Sequence, residues 1–214
     1  MPDTLIVPAH AVRRELVVAR SRFIATLAPA SSVEAAQACL ARVRAEFADA
    51  THHVPAYLIG GGNSALAHCS DDGEPAGTAG RPALVVLRGS GLGDVAVVIT
   101  RYFGGTLLGA GGLVRADTEA TQLAVQAAPR ARQLPGQVLL LAAPYAWLER
   151  LRRLVSRHGG TIQDETFGAD ITLTLQFPAT QTAGFQAELR DLSAGQLQAE
   201  HIENVVLRVP IAAP

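Results

Sequence analysis

Apolar positions recur along this chain with two periods, and the switches between them mark the elements. Residues 11–28 hold two runs of β character, Leu16-Val17-Val18 and Phe23-Ile24-Ala25-Thr26-Leu27, which predict a hairpin or one long bent strand. Ser31-Ser32-Val33-Glu34 is a helix-capping signature, and behind it Val33, Ala36, Leu40, Val43 and Phe47 fall at helical spacing. A strand follows over 55–59, then the flexible turn Gly60-Gly61-Gly62-Asn63 and a second strand ending at His68-Cys69. The apolar run over 95–100 predicts a buried strand that delivers Arg101, Tyr102 and Phe103 to its carboxyl end, where α/β sheets usually keep their sites. Past a glycine break, Leu113, Ala116, Ala120, Leu123 and Ala127 again repeat helically.

The segment Arg130-Ala131-Arg132-Gln133-Leu134-Pro135-Gly136 is polar and ends in Pro-Gly, so it predicts a boundary between domains at 1–132 and 136–214. Beyond it the pattern predicts strand 138–143, helix 146–158, strands 160–165 and 171–177, helix 182–192 and strand 197–209. That βαββαβ order is the ferredoxin-like signature, and it makes the chain as a whole α+β. The strand ITLTLQF alternates cleanly, with Ile171, Leu173, Leu175 and Phe177 on one face.

Composition narrows the function classes. With 214 residues, 49% hydrophobic and 17% charged, the chain has the composition of an ordinary soluble protein with room for two modest cores. A net charge of -1 argues against a strongly basic nucleic-acid binder, and no DNA sequence specificity is expected. All 18 basic residues are arginine. Without lysine there is no Schiff base, no lysine general base and no P-loop lysine. Cys39 and Cys69 have no paired spacing, which predicts a reduced cytoplasmic protein. The first residues lack a basic start and an apolar core, so no signal peptide is expected, and no apolar run reaches membrane-spanning length.

Candidate chemistry concentrates between Ser70 and Ala116, a stretch with eleven glycines. Gly77-Thr78-Ala79-Gly80 leads into a helix with Thr78 as candidate cap and Pro82 in the first turn, while Gly104, Gly105, Gly109, Gly111 and Gly112 precede the second helix. Glycine loops that open helices present free amides and the positive dipole end, which suit a phosphate or carboxylate. Arg101 and Arg115 flank these turns. The same glycines also serve tight turns and close helix packing with no ligand involved. Asp71, Asp72 and Glu74 have three roles open to them: a hard-cation site, a general base, or a turn with one carboxylate clamping Arg101 or Arg115; the third is preferred. His52-His53 and His68-Cys69 contain zinc-type ligands, but adjacent residues on a strand face opposite ways, so no metal site is expected. Arg150, Arg153 and Arg157 share a face of the helix over 146–158 and are candidate RNA contacts, though a solvated face explains them as well. No aromatic set of an RNA-reading sheet is present, since Tyr145 and Trp147 lie at the start of that helix.

SDDGEPAGTAGRP followed by VITRYFGGTLLGAGGLVRA, with Ser21-Arg22-Phe23-Ile24 and Ala50-Thr51-His52-His53 upstream, resembles the Impact/YigZ family over about 20–128. The resemblance implies an N-terminal domain like the second domain of ribosomal protein S5 and a C-terminal ferredoxin-like domain like one in translation elongation factor G. It implies no established reaction for bacterial members, whereas eukaryotic members bind a translation-control activator and restrain a stress kinase. It also places a histidine near the cleft, for which His53 is the candidate. The expected function is therefore a non-enzymatic binding protein linked to translation, meeting an anionic group, RNA, the ribosome or a protein partner through the glycine-rich cleft. Tyr102 and its neighbours would anchor a protein. The alternative is an enzyme for a small phosphorylated substrate or nucleotide, although the glycine loop fits neither standard phosphate-loop pattern and no cofactor is expected.

Overall fold

The computed structural model describes residues 5–211, and the chain divides into two compact units, Met1–Arg132 with Val209–Pro214 and Gln133–Arg208. The first contains β1 (Ile6–Pro8), β2 (Val12–Val18), β3 (Ser21–Pro29), α1 (Val33–Glu46), β4 (His52–Ile59), β5 (Leu66–Cys69), α2 (Gly80–Gly89), β6 (Val95–Tyr102) and α3 (Gly109–Ala127). Its sheet runs β2-β3-β6-β4-β5.

The predicted hairpin is β2 and β3, joined at Ala19 and Arg20, both at positive φ. The cap of α1 is Ser32, whose hydroxyl accepts from the Ala35 amide. Strand β6 is buried along nearly its whole length because it lies mid-sheet between two helical layers. Val95, Val97 and Ile99 pack with α2 and α3, while Ala96 and Val98 pack towards α1. A continuous apolar run usually signals a parallel sheet, yet β6 is antiparallel to both β3 and β4. Burial on both faces, not strand direction, sets the sequence pattern.

The second unit draws on β7 (Arg130–Ala143), α4 (Leu148–Arg157), β8 (Thr161–Phe167), β9 (Ile171–Pro178), α5 (Ala179–Leu192) and β10 (Ala199–Pro210). Strand β9 pairs with β7 and β8, and β10 pairs with β7, giving the order β10-β7-β9-β8 of a ferredoxin-like α+β unit. The alternation in β9 places Ile171, Leu173, Leu175 and Phe177 in one core with Leu151, Leu154, Phe185 and Leu189 from the helices.

The segment 130–136, read as the domain boundary, forms the start of β7, and the two compact units divide within it. Residues 130–132 pair with β1, and pairing with β9 begins at Gly136. Pro135, which has no amide to donate, falls between those two registers.

Candidate functional site

The acidic turn and the glycine turn of α2 close on each other. Asp72 and Gly73 have φ of 48° and 87°, the conformation an Asp-Gly turn demands. This reversal carries Asp71 back over the helix start. Its carboxylate accepts the amides of Gly77, Ala79 and Gly80 at 2.8, 3.1 and 2.9 Å. Burial opposes ionisation of Asp71, but these three donors outweigh it and hold the carboxyl below its ordinary value. Two expectations are corrected here. Thr78 is not the cap, since its hydroxyl is buried and donates to the Pro75 carbonyl. The amides of Gly77, Ala79 and Gly80 are not open to an anion either, because Asp71 already occupies them. Gly80 is fixed by space, as an added Cβ would sit 2.5 Å from the Ser70 carbonyl oxygen.

Asp72 binds outward and inward at once, accepting from Arg44 and from the His53 amide. His53 turns towards α1, where its ring donates to the Phe47 carbonyl. The histidine beside the acidic turn is His52, with Nδ1 2.8 Å from the Asp72 carbonyl and Nε2 3.9 Å from Glu74. The opposite facing of adjacent strand residues holds, but it selects His52 where His53 was expected.

Arg101 is 7% exposed and lies between the rings of Phe23 and Phe103. Its Nη1 donates to both oxygens of Glu74, at 2.6 and 2.7 Å, and the Glu74 side chain is 3% exposed. The anticipated clamp is therefore Glu74 on Arg101. It joins the end of β6 to the acidic turn and leaves Arg101 as a strut.

A fourth acidic group lies beside this pair, one that the sequence motifs do not single out. Asp117 is 1% exposed, and its Oδ2 has no hydrogen-bond partner, as is also true of Arg101 Nε. Burial, reinforced by the negative charge of Glu74, raises the Asp117 carboxyl to about 7. One guanidinium cannot neutralise two buried carboxylates at equal distance, and Glu74 holds it. The overlooked signal was periodicity: Asp117 lies on the same helical stripe as the buried Leu113, Ala116, Ala120 and Ala124.

The second glycine loop is different. Gly104 is pinned by its amide to the Ser21 hydroxyl at 3.1 Å and by its lack of a Cβ, which would meet the Arg20 backbone. Arg20 donates to Thr106 from the β2–β3 turn. Around these ties the chain reaches into solvent: Phe103 before them is 48% and Leu107 after them 88% exposed, and Gly105 and Gly109 take positive φ. Leu108 gives α3 no side-chain cap. Arg115 is exposed with no carboxylate partner among the described residues, and with Val114 it borders a hollow of about 500 Å³ on the outer face of α3. Tyr102 points elsewhere, donating to Asp49 while Arg22 lies over its ring. Gly112 sits close to Leu108, but Gly111 faces open space within a helix. Gly111→Ala is thus expected to stabilise the protein by about 0.5–1 kcal/mol, read as a raised urea midpoint, through helix propensity alone.

On α4 the arginines are unequal. Arg157 is engaged by Glu188, Arg150 lies over the Trp147 ring at 5.6 Å, and Arg153 has no carboxylate partner among the described residues. Among those residues no group of three or more His, Cys, Asp or Glu forms a metal-binding set. Among the described residues no helix is long and apolar enough to cross a membrane.

The Impact N-terminal domain matches residues 19–125, which carry the acidic turn, Arg101 and the glycine loop. A domain of unknown function, DUF1949, matches 141–196. IMPACT family member YigZ of Escherichia coli K12 is 40% identical, covering 94% of this chain and 99% of the relative. The chain belongs to the Impact family. Among other members, YvyE of Bacillus subtilis is 31% identical over 87% of this chain and 86% of its own length. Protein IMPACT of Xenopus laevis is 39% identical over 94 residues, which are 42% of this chain and 30% of the frog protein. A crystal structure described as that of a hypothetical protein superposes with a TM-score of 0.64 at 39% identity, covering 95% of this chain and 99% of that one.

Proposed function

We propose that this Impact family member is a non-enzymatic binding protein in translation or its regulation, and that it meets a protein partner through the loop 103–112 and the start of α3. Family membership is consistent with a role related to translation regulation. The observation that carries the site is Leu107, 88% exposed on a loop whose base is tied to the β2–β3 turn. Leu107 stands on the same short segment as the exposed Phe103 and Val114, and it is this grouping, with Arg115 beside it, that fits an interface. Phe103 and Val114 extend the apolar surface, and Arg115 with the uncapped amides of α3 favours an acidic group next to it. The recognised segment would then pair one apolar side chain with one carboxylate.

What supports binding over catalysis is the placement of the titratable groups. Asp71, Glu74 and Arg101 are consumed by structural contacts, and Asp117 is too deeply buried to reach a substrate.

Leu107→Asp tests the reading. Because Leu107 makes so few contacts, its replacement is expected to change stability by no more than about 0.5 kcal/mol. Co-purification with ribosomes or a translation factor is expected to disappear. Unchanged co-purification with Leu107→Asp, or none with the wild type, would exclude this loop as the working surface.

A further inference from the structure

The remaining surface aromatics gather at one corner of the second unit. Tyr145 and Phe167, 49% and 56% exposed, stack with centroids 6.2 Å apart and planes 18° from parallel. The Tyr145 hydroxyl donates to the Gly168 carbonyl at 2.7 Å, so the ring is held in place before anything binds. Half-buried Trp147 adds an indole with the Arg150 guanidinium over it, and Arg153 follows on α4. These aromatics come from the start of a helix and the tip of the β8–β9 hairpin, so they escape a search for aromatic positions on a sheet face.

Phe23, Phe177 and Phe185 are fully buried, whereas Tyr145 and Phe167, with Phe103 of the first unit, are the aromatics left about half exposed among the described residues. Charge distinguishes the classes of ligand. Arg152 is neutralised by Glu149 and Glu165, and Arg157 by Glu188. Arg150 and Arg153 have no carboxylate partner among the described residues, so two unspent cations lie on the α4 side of the aromatic cluster. Asp164 and Asp170 carry opposing charge on the hairpin side, which confines an anionic chain to the α4 side. Fixed aromatic faces next to free guanidinium groups are the chemistry of single-stranded nucleic-acid binding, with bases on rings and phosphates on arginines.

We propose that Tyr145, Phe167 and Trp147, with Arg150 and Arg153, form a binding site for single-stranded nucleic acid on the second unit. The site is separate from the loop 103–112, and neither proposal depends on the other.

Trp147 is the only tryptophan in the chain, so the protein reports on its own site. The full-length protein is titrated at low salt with oligouridylate and with oligothymidylate while Trp147 emission is followed. Saturable quenching is expected with at least one of them, and a preference for oligouridylate would assign the 2′-hydroxyl a role. Tyr145→Ala and Phe167→Ala are each expected to weaken binding by about tenfold or more. Tyr145→Phe keeps the ring and should bind within a few-fold of wild type, which separates stacking from a loss of folding. Arg153→Ala should lower the slope of log Kd against log salt by about 0.7, the signature of one lost phosphate contact. The proposal is overturned if neither oligonucleotide binds, if both alanine variants bind like wild type, or if a duplex is preferred.

Discussion

Glu74→Ala is expected to cost about 3–5 kcal/mol of folding stability, measured by urea unfolding at neutral pH. The substitution strands Arg101 in a site where it is only 7% exposed, and an uncompensated buried charge is among the costliest single defects a fold can carry. The loss should fall at the low end of that range, because Asp117 can take over as counter-charge. With Glu74 gone, the repulsion that helps keep Asp117 neutral is removed, so in this variant Asp117 should ionise at lower pH, visible in its carboxyl carbon shift. Replacing both partners, Glu74→Leu with Arg101→Met, is expected to recover most of the lost stability. Glu15→Ala breaks only the exposed pair with Arg22 and should leave the midpoint nearly unchanged. Equal effects of Glu74→Ala and Glu15→Ala would show that the clamp is not what holds the acidic turn to β6.

Asp117→Asn is expected to make the protein more stable at about pH 8 and to change little at about pH 4. The folded-state carboxyl titrates near 7, against an ordinary 3.8. Below the ordinary value both states are protonated and nothing is lost. Across the window from 3.8 to about 7 the unfolded chain releases its proton while the folded chain keeps it, so stability falls as pH rises. Above that window the loss is constant, at up to about 4 kcal/mol. The groups that face Asp117 are Glu74, Arg101 and Asp71. The apolar core into which α3 packs draws Leu16, Val18, Phe23 and Ala25 from β2 and β3 and Ala83 and Leu87 from α2, none of which titrates. The stability gained by Asp117→Asn over the wild type should therefore grow as pH rises through this range, on top of the slope that the other carboxylates give to both proteins. Parallel curves for the two proteins would mean that Asp117 is ionised and satisfied in the folded state.

Local signals were the legible ones. Ser32 capping α1, the alternation of β9 and the buried run of β6 each follow from neighbours within a few residues, and each stands where the sequence put it. The acidic turn was legible in kind, since Asp72-Gly73 dictated a reversal and a carboxylate was expected on Arg101 or Arg115. Illegible was the reach of that reversal. Asp71 caps a helix six to nine residues away, and local capping rules point at Thr78, which lies nearer in sequence and faces the wrong way. Asp117 was passed over because a lone aspartate among DTEATQ reads as solvated surface until its stripe is counted. The boundary at 130–136 was legible but its strand character was not, because pairing with β1, more than a hundred residues earlier, leaves no local trace. For the glycine loops the sequence treated as equals two turns that differ in whether an acid reaches them.

The central claim is that the loop 103–112 is where this protein meets its partner. A photoreactive amino acid placed at position 107, where the native Leu107 is 88% exposed, tests it directly in cells. The account predicts a discrete cross-link to a ribosomal protein or translation factor, absent when the same group replaces the exposed Val85 on α2. No cross-link from position 107, with one formed from position 85, would contradict it.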